Sequence, residues 1–85
     1  MSTRSEASYP KKITPAQCRM ARSALQWGVR EIAAKAGVAP ATITRFEKGK
    51  NEPQLSTLAV IKQAFEEAGI VFVENGIGPG VHLKK

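Results

Sequence analysis

The stretch from Val29 to Lys48, VREIAAKAGVAPATITRFEK, constrains the fold more than any other part of the chain. Apolar residues recur at helical spacing on both sides of Gly37, which predicts one helix over about 29–36 and another over about 40–48. Gly37 supplies the positive φ that a tight turn between them requires. The small side chain of Ala33 allows the two helices to pack closely. We therefore expect a tightly joined helix pair at the centre of the fold.

The segments on either side of this pair predict two further helices. A helix beginning at Thr14 is indicated by a threonine N-cap, a proline in the first helical position and a glutamine three residues after the cap. Trp27, just before the second helix, is expected to cover the core. Apolar residues return to helical spacing over about 55–68, and Gly69 ends this fourth helix. The candidate caps at its start are Ser56 and Thr57.

The residues after Gly69 change to a strand pattern. β-Branched and aromatic residues at 70–74 predict a strand, and turn residues at 75–80 allow 81–83 to return as its partner. Because a lone two-stranded hairpin is marginal in water, it should pack on the helices, pair with a second molecule or stay partly disordered. The chain is therefore predicted to be mainly α, with four helices plus a C-terminal β-hairpin. Its predicted parts are a flexible arm (1–12), a helical domain (13–69) and the hairpin (70–85).

Charge is distributed unevenly along the chain, which has a formal net charge of +6. Residues 13–50 contain seven Lys or Arg against two Glu, whereas residues 51–69 contain one Lys against three Glu. A basic half that carries the central helix pair is the footprint expected of a protein that binds a polyanion. On charge alone, a merely soluble basic surface explains the pattern equally well.

The sequence carries no constellation of residues typical of an enzyme, a metal site or a cofactor site. Its one histidine, His82, is expected on a strand surface, and its one cysteine, Cys18, in the core. A single cysteine excludes an internal disulfide and a cysteine-rich zinc site, and it favours a reduced, cytoplasmic setting. The glycines at 76, 78 and 80 do not match a nucleotide-binding fingerprint. No apolar run spans a membrane and no secretory signal is recognisable, so no membrane partner is expected.

Two stretches carry a resemblance to a known family. GVAPATITRFEKGKNEP resembles the recognition helix and following loop of helix-turn-helix regulators of the phage repressor and Cro type, the XRE-like family, and LSTLAVIKQAFEEAG resembles their next helix. The resemblance covers about residues 14–68. It implies a four-helix, repressor-like domain that binds double-stranded DNA in a bacterial or phage context, and it makes a plain helical hairpin without DNA function a poor alternative.

The resemblance implies that outward residues at the start of the third helix contact base edges. These are Pro40, Ala41, Thr44 and Arg45. Arg45 is the strongest candidate, because a guanidinium can donate two hydrogen bonds to guanine O6 and N7. A phosphate contact is the alternative for Arg45. The other three offer little hydrogen bonding, so part of the specificity is expected to come from DNA shape.

Contacts to the DNA backbone are implied for the start of the second helix and for the end of the third helix with its following loop. The residues are Gly28, Val29, Arg30, Thr42, Lys48, Lys50 and Asn51. The chain departs from the family pattern in having Val29 where many relatives have glutamine, and Ala39 where a Ser or Thr cap is frequent. The arm is expected either to be simply mobile or to contact DNA through Arg4, Lys11 and Lys12.

The resemblance also implies a partly buried ion pair between Arg22 and Glu47, which ties the first helix to the end of the third. Two unrelated surface charges are the alternative.

The function expected from these features is that of a transcriptional regulator. It is a repressor that binds a pseudo-palindromic operator as a homodimer, with the hairpin as the preferred dimerisation element and the fourth helix next. An antitoxin, or another protein-interaction module with autoregulatory DNA binding, is the alternative. In that case the strand at 70–74 would offer its edge to a partner protein.

Overall fold

The computed structural model describes residues 12–75 and 78–84. Its elements are four helices and two strands: α1 (Pro15–Leu25), α2 (Val29–Ala36), α3 (Pro40–Glu47), α4 (Leu55–Glu67), β1 (Ile70–Asn75) and β2 (Gly78–Leu83). The prediction of a mainly α fold with four helices and a C-terminal hairpin is confirmed. The predictions for Arg4 and Lys11 lie outside the described residues. None of the helices in the described ranges is long and apolar enough to cross a membrane.

Helix α1 begins with the predicted capping box. The Thr14 hydroxyl accepts from the backbone N–H of Gln17 at 3.0 Å, and the Gln17 side-chain oxygen accepts from the backbone N–H of Thr14 at 3.0 Å. Two backbone donors that a helix start leaves without partners are thereby satisfied. At the other end Gln26 adopts a left-handed φ of 59°. Cys18 and Ala21 lie on the buried face between these ends.

Helices α2 and α3 are joined by the predicted glycine turn. Gly37 has φ +76°, and its N–H donates to the Ala33 carbonyl at 2.9 Å. This is a backbone conformation that side-chain-bearing residues adopt at a cost. Ala33 is buried beside it, and Ile43 and Phe46 bury the inner face of α3 in the same core. The turn therefore fixes the angle at which α3 presents its outer face.

Helix α4 completes the helical core. Its residues Leu58, Ile61 and Phe65 are buried, as the helical spacing predicts. The candidate caps were wrong: the N-cap residue is Gln54, and no side chain caps the helix. Ser56 and Thr57 lie inside the first turn because the helix starts before them, at Leu55.

Aromatic rings connect the segment before α2, helix α4 and strand β1. Trp27, which precedes α2, stacks on Phe65 of α4 with ring centroids 5.8 Å apart. Phe65 in turn meets Phe72 of β1 edge to face, at 6.0 Å. Trp27 is partly buried and packs on the core, and the Lys35 ammonium lies 5.4 Å from its ring centroid. The tryptophan thus covers the core, and a cation covers the tryptophan.

The two strands form an antiparallel hairpin with a register that runs from Ile70 opposite Leu83 to Asn75 opposite Gly78. The second strand is longer than the sequence indicated, because Gly78, Pro79 and Gly80 belong to it rather than to the turn. In a two-stranded sheet both strands are edge strands, and an edge position tolerates a proline that lacks an N–H. Gly78 has φ +136°, a value that favours glycine.

The hairpin packs on the helices, which is one of the three outcomes expected for it. Ile70 and Phe72 are each 1% exposed and belong to the same core as the helices. The Gln17 side-chain amide, fully buried, donates to the carbonyls of Val73 and Gly80, at 3.0 Å each. One side chain of α1 therefore joins its own helix cap to both strands.

Candidate nucleic-acid interface

The outer face of α3 presents the residues for which base contacts were predicted. Pro40, Ala41 and Arg45 are exposed, and Thr44 is half-buried. Ala39 provides no side-chain cap, and the first turn is held by the N–H of Thr42, which donates to the Ala39 carbonyl at 3.0 Å. The structure therefore brings the four residues onto one accessible surface, opposite the buried face of the same helix.

The start of α2 presents two of its three predicted contact residues to solvent. Gly28 and Arg30 are exposed, whereas Val29 is half-buried and packs against the core. The Gly28 amide donates to the Glu31 carboxylate at 3.1 Å. Glu31 therefore occupies one of the backbone donors that a phosphate would use, and Arg30 is the side chain of this helix start best suited to meet an anion.

The loop after α3 has a defined backbone shape. Gly49 has φ +71°, its N–H donates to Phe46 O, and the N–H of Lys50 donates to Arg45 O, each at 2.9 Å. The three predicted phosphate ligands of this region, Lys48, Lys50 and Asn51, are all exposed. Residue Lys12, from the predicted arm, forms an ion pair with Glu52, the acidic residue of the same loop. Part of the arm therefore lies beside the basic loop.

Arg22 and Glu47 lie together in the structure and tie α1 to the end of α3. Arg22 Nε and Nη2 donate to the two carboxylate oxygens of Glu47, each at 2.7 Å. Arg22 Nη1 donates to the Trp27 carbonyl at 3.2 Å, and the Cys18 thiol donates to Glu47 Oε2 at 3.1 Å. Glu47 is 8% exposed. Such two-point geometry fixes both the distance and the orientation of the helices.

This environment shifts the pKa values of the buried groups. Burial opposes ionisation of Glu47, but hydrogen bonds from Arg22 and Cys18 and the charges of Arg22 and Arg19 outweigh it, so the pKa of Glu47 is lowered. Burial, together with the neighbouring Glu47 carboxylate, raises the pKa of Cys18 well above its ordinary value. The thiol is therefore protonated and acts as a hydrogen-bond donor in the core rather than as a nucleophile.

Two contacting residues were not identified from the sequence. Arg19, expected on the solvent side, donates through Nη1 to the main-chain carbonyl of Glu47. Its position three residues before Arg22 on α1 was a visible signal that both point to the same neighbour. The hydrogen bonds from Gln17 to the hairpin had no such signal, because they join residues 56 and 63 positions apart.

The fold and this surface together define a class of protein. A short helix is buried on one side, exposed on the other, clamped at its end by an ion pair and followed by a basic loop, as in DNA-binding domains that insert a helix into the major groove. Among the described residues, no group of three or more histidines, cysteines or carboxylates is placed to hold a metal ion.

Comparison with known proteins gives the family. Residues 19–71, more than half of the chain, match the helix-turn-helix family HTH_3. The chain belongs to this family, the XRE- and Cro-type helix-turn-helix proteins, and it is a DNA-binding transcription regulator. A comparison with curated proteins finds no relative.

The lowered pKa of Glu47 predicts how stability depends on pH. An unfolded glutamate titrates at about pH 4.3, and the folded Glu47 carboxyl titrates at a lower pH. Ionisation of Glu47 therefore stabilises the fold above about pH 4.3, and this stabilisation is lost as the pH falls through the folded pKa. Glu47→Gln removes this dependence. In urea unfolding from pH 7 to pH 3, wild type should exceed Glu47→Gln in stability at pH 7, and the two should converge at the acid end. A difference that is constant over this range would show that folding does not change the pKa of Glu47.

Proposed function

We propose that the chain is a sequence-specific transcriptional repressor, which binds a pseudo-palindromic operator as a homodimer and blocks access of RNA polymerase. The observation that carries the proposal is the fixed presentation of α3. The ion pair at Glu47 holds its end, the turn at Gly37 holds its start, and Arg45 remains exposed on its outer face. A recognition helix such as α3 needs rigid support, since specificity depends on placing donors within hydrogen-bonding distance of base edges.

Contacts divide into those that read bases and those that position the protein. Arg45 is proposed to donate two hydrogen bonds to guanine, and Thr44 to contact a base or an adjacent phosphate. Pro40 and Ala41 contribute apolar contact, such as to a thymine methyl. The phosphate ligands are Arg30, Thr42, Lys48, Lys50 and Asn51, with backbone amides at the start of α2. Because few side chains hydrogen-bond to bases, DNA shape supplies part of the specificity.

A dimer is proposed because one recognition helix with few hydrogen bonds to bases discriminates weakly between DNA sequences. Two copies related by a two-fold axis place their α3 helices in successive major grooves, about 34 Å apart. The hairpin is the preferred contact, since both of its strands are sheet edges and Leu83 is 36% exposed. Helix α4 is the second choice, because Leu55 and Val60 on its surface are 67% and 39% exposed.

The antitoxin alternative has less support. In that function the hairpin would bind a partner protein, but the residues best suited to bind one, Ile70 and Phe72, are buried in the core of this chain. What remains for a partner is a strand edge and the outer surface of the hairpin. A pull-down that recovers only copies of this chain is the expected result, and a stoichiometric second protein would favour the alternative.

The repressor proposal is tested by selecting bound sequences from random duplex DNA and by measuring the mass of the complex in solution. The expected result is an enriched sequence with two-fold symmetry, half-sites about 34 Å apart centre to centre, and two protein chains per duplex. Enriched sequences without symmetry, bound by one chain, would exclude the dimeric operator. Repression itself is tested with a reporter that places the selected sequence over a promoter.

A further inference from the structure

We propose that Arg19 is a further phosphate-binding residue of the DNA interface, an inference that rests on the DNA-binding function proposed above. Arg19 lies on α1, outside the helix pair α2 and α3, and it is exposed. Its Nη1 donates to the main-chain carbonyl of Glu47. The guanidinium is therefore fixed at the C-terminal end of α3, the proposed recognition helix, rather than free on a solvent face.

The chemistry of that position explains why a cation is held there. The last carbonyls of a helix have no partner within the helix, and the C-terminal end carries a partial negative charge. Arg19 satisfies one such carbonyl, and its charge helps to keep the Glu47 carboxyl ionised. A side chain already ordered by this contact loses less conformational freedom when it binds a second group.

The two arginines of α1 differ in what they have left to offer. Arg22 uses Nε, Nη1 and Nη2 on Glu47 and Trp27. Arg19 uses one hydrogen bond within the described residues, although a guanidinium has five N–H donors. Arg22 is therefore a structural residue, and Arg19 is the one that can also meet an anion.

The position of Arg19 next to the phosphate-binding loop identifies the anion as DNA phosphate. Lys48 follows directly after Glu47 in the chain, and Lys50 and Asn51 continue the same exposed loop. A guanidinium at the start of this loop extends the row of proposed phosphate ligands from α3 onto α1. Arginine suits the task because its planar fork matches two oxygens of one phosphate.

The test is a salt titration of binding to a short duplex of arbitrary sequence, so that no knowledge of the operator is needed. Each phosphate contact contributes about 0.9 to the slope of log affinity against log salt concentration. Arg19→Gln should lower the magnitude of this slope by about 0.9. If the variant and wild type bind equally at 1 M salt, the variant then binds about fivefold more weakly than wild type at 0.15 M salt. Arg19→Lys should restore most of the slope. Lys62→Gln, which removes a cation paired with Glu66 on α4, is the matched control and should leave the slope unchanged.

The outcomes separate the possible failures. Arg19→Gln retains a side-chain donor for the Glu47 carbonyl, so a thermal melt close to that of wild type shows that capping survives. An unchanged slope in a folded Arg19→Gln protein would overturn the phosphate contact and leave Arg19 as a helix cap only. Failure of wild type itself to bind the duplex at low salt would instead overturn the proposed function.

Discussion

Replacing Arg22 or Glu47 by methionine is expected to lower the free energy of unfolding by about 3–5 kcal/mol. Each change leaves the other charge without its partner in a site where the side chains are only 23% and 7% exposed. Methionine keeps the apolar volume, so the loss reports the stranded charge rather than a cavity. Urea unfolding at pH 7 measures the effect. The i, i+4 pair of Lys62 and Glu66 on α4 is the control because its carboxylate is 44% exposed, and Lys62→Met should cost less than about 0.5 kcal/mol.

The double variant decides whether the two side chains act together. If they do, Arg22→Met with Glu47→Met should be far less destabilised than the sum of the single variants, because no unpaired charge remains. Cys18 also donates to the Glu47 carboxylate, so this hydrogen bond is lost in both Glu47 variants, whereas Arg19 donates to the Glu47 main-chain carbonyl and keeps its acceptor. Additive losses would mean that the 2.7 Å contacts contribute no coupling energy.

The second large effect is expected at Arg45. Arg45→Ala should remove about 1–3 kcal/mol of discrimination at one base position in each half-site. The affinity for unrelated DNA should fall much less. The measurement is a competition between the selected operator and the same duplex with that guanine replaced. Lys48→Ala is the matched control, since loss of a phosphate contact should weaken binding to both duplexes equally.

A different pattern would reassign Arg45. If Arg45→Ala lowers affinity for operator and substituted duplex by the same factor and also reduces the salt slope, the residue contacts phosphate rather than guanine. The reading function would then fall to Thr44 and to DNA shape. Retention of full discrimination with an unchanged salt slope would remove Arg45 from the interface.

The helices were predictable because their signals are local. The box at Thr14, the prolines that start α1 and α3, and the glycine at 37 each determine the backbone of their immediate neighbours, and all four helices begin within about one residue of the predicted positions. The placement of Arg22 beside Glu47 followed from resemblance, not from spacing. Nothing local in the sequence relates two residues 25 positions apart.

The elements that were missed depend on partners distant in sequence. Gly78, Pro79 and Gly80 have turn composition, and only pairing with β1 and hydrogen bonding from Gln17 to Gly80 make them a strand. Arg19 was placed in solvent although it lies three residues before Arg22 on the same helix, because its partner is a backbone carbonyl, a group that every residue has and that residue type does not identify. Local chemistry thus predicts the elements, and the long-range hydrogen bonds depend on how they are assembled.

The hydrogen bonds of Gln17 have a consequence for synthesis of the chain. A ribosome releases α1 long before Gly80, so the buried amide of Gln17 lacks two of its acceptors until β1 and β2 have emerged. Phe72 and Ile70, which complete the core, arrive equally late. The core that supports α3 is therefore complete only after β2 has left the exit tunnel and packed on α1.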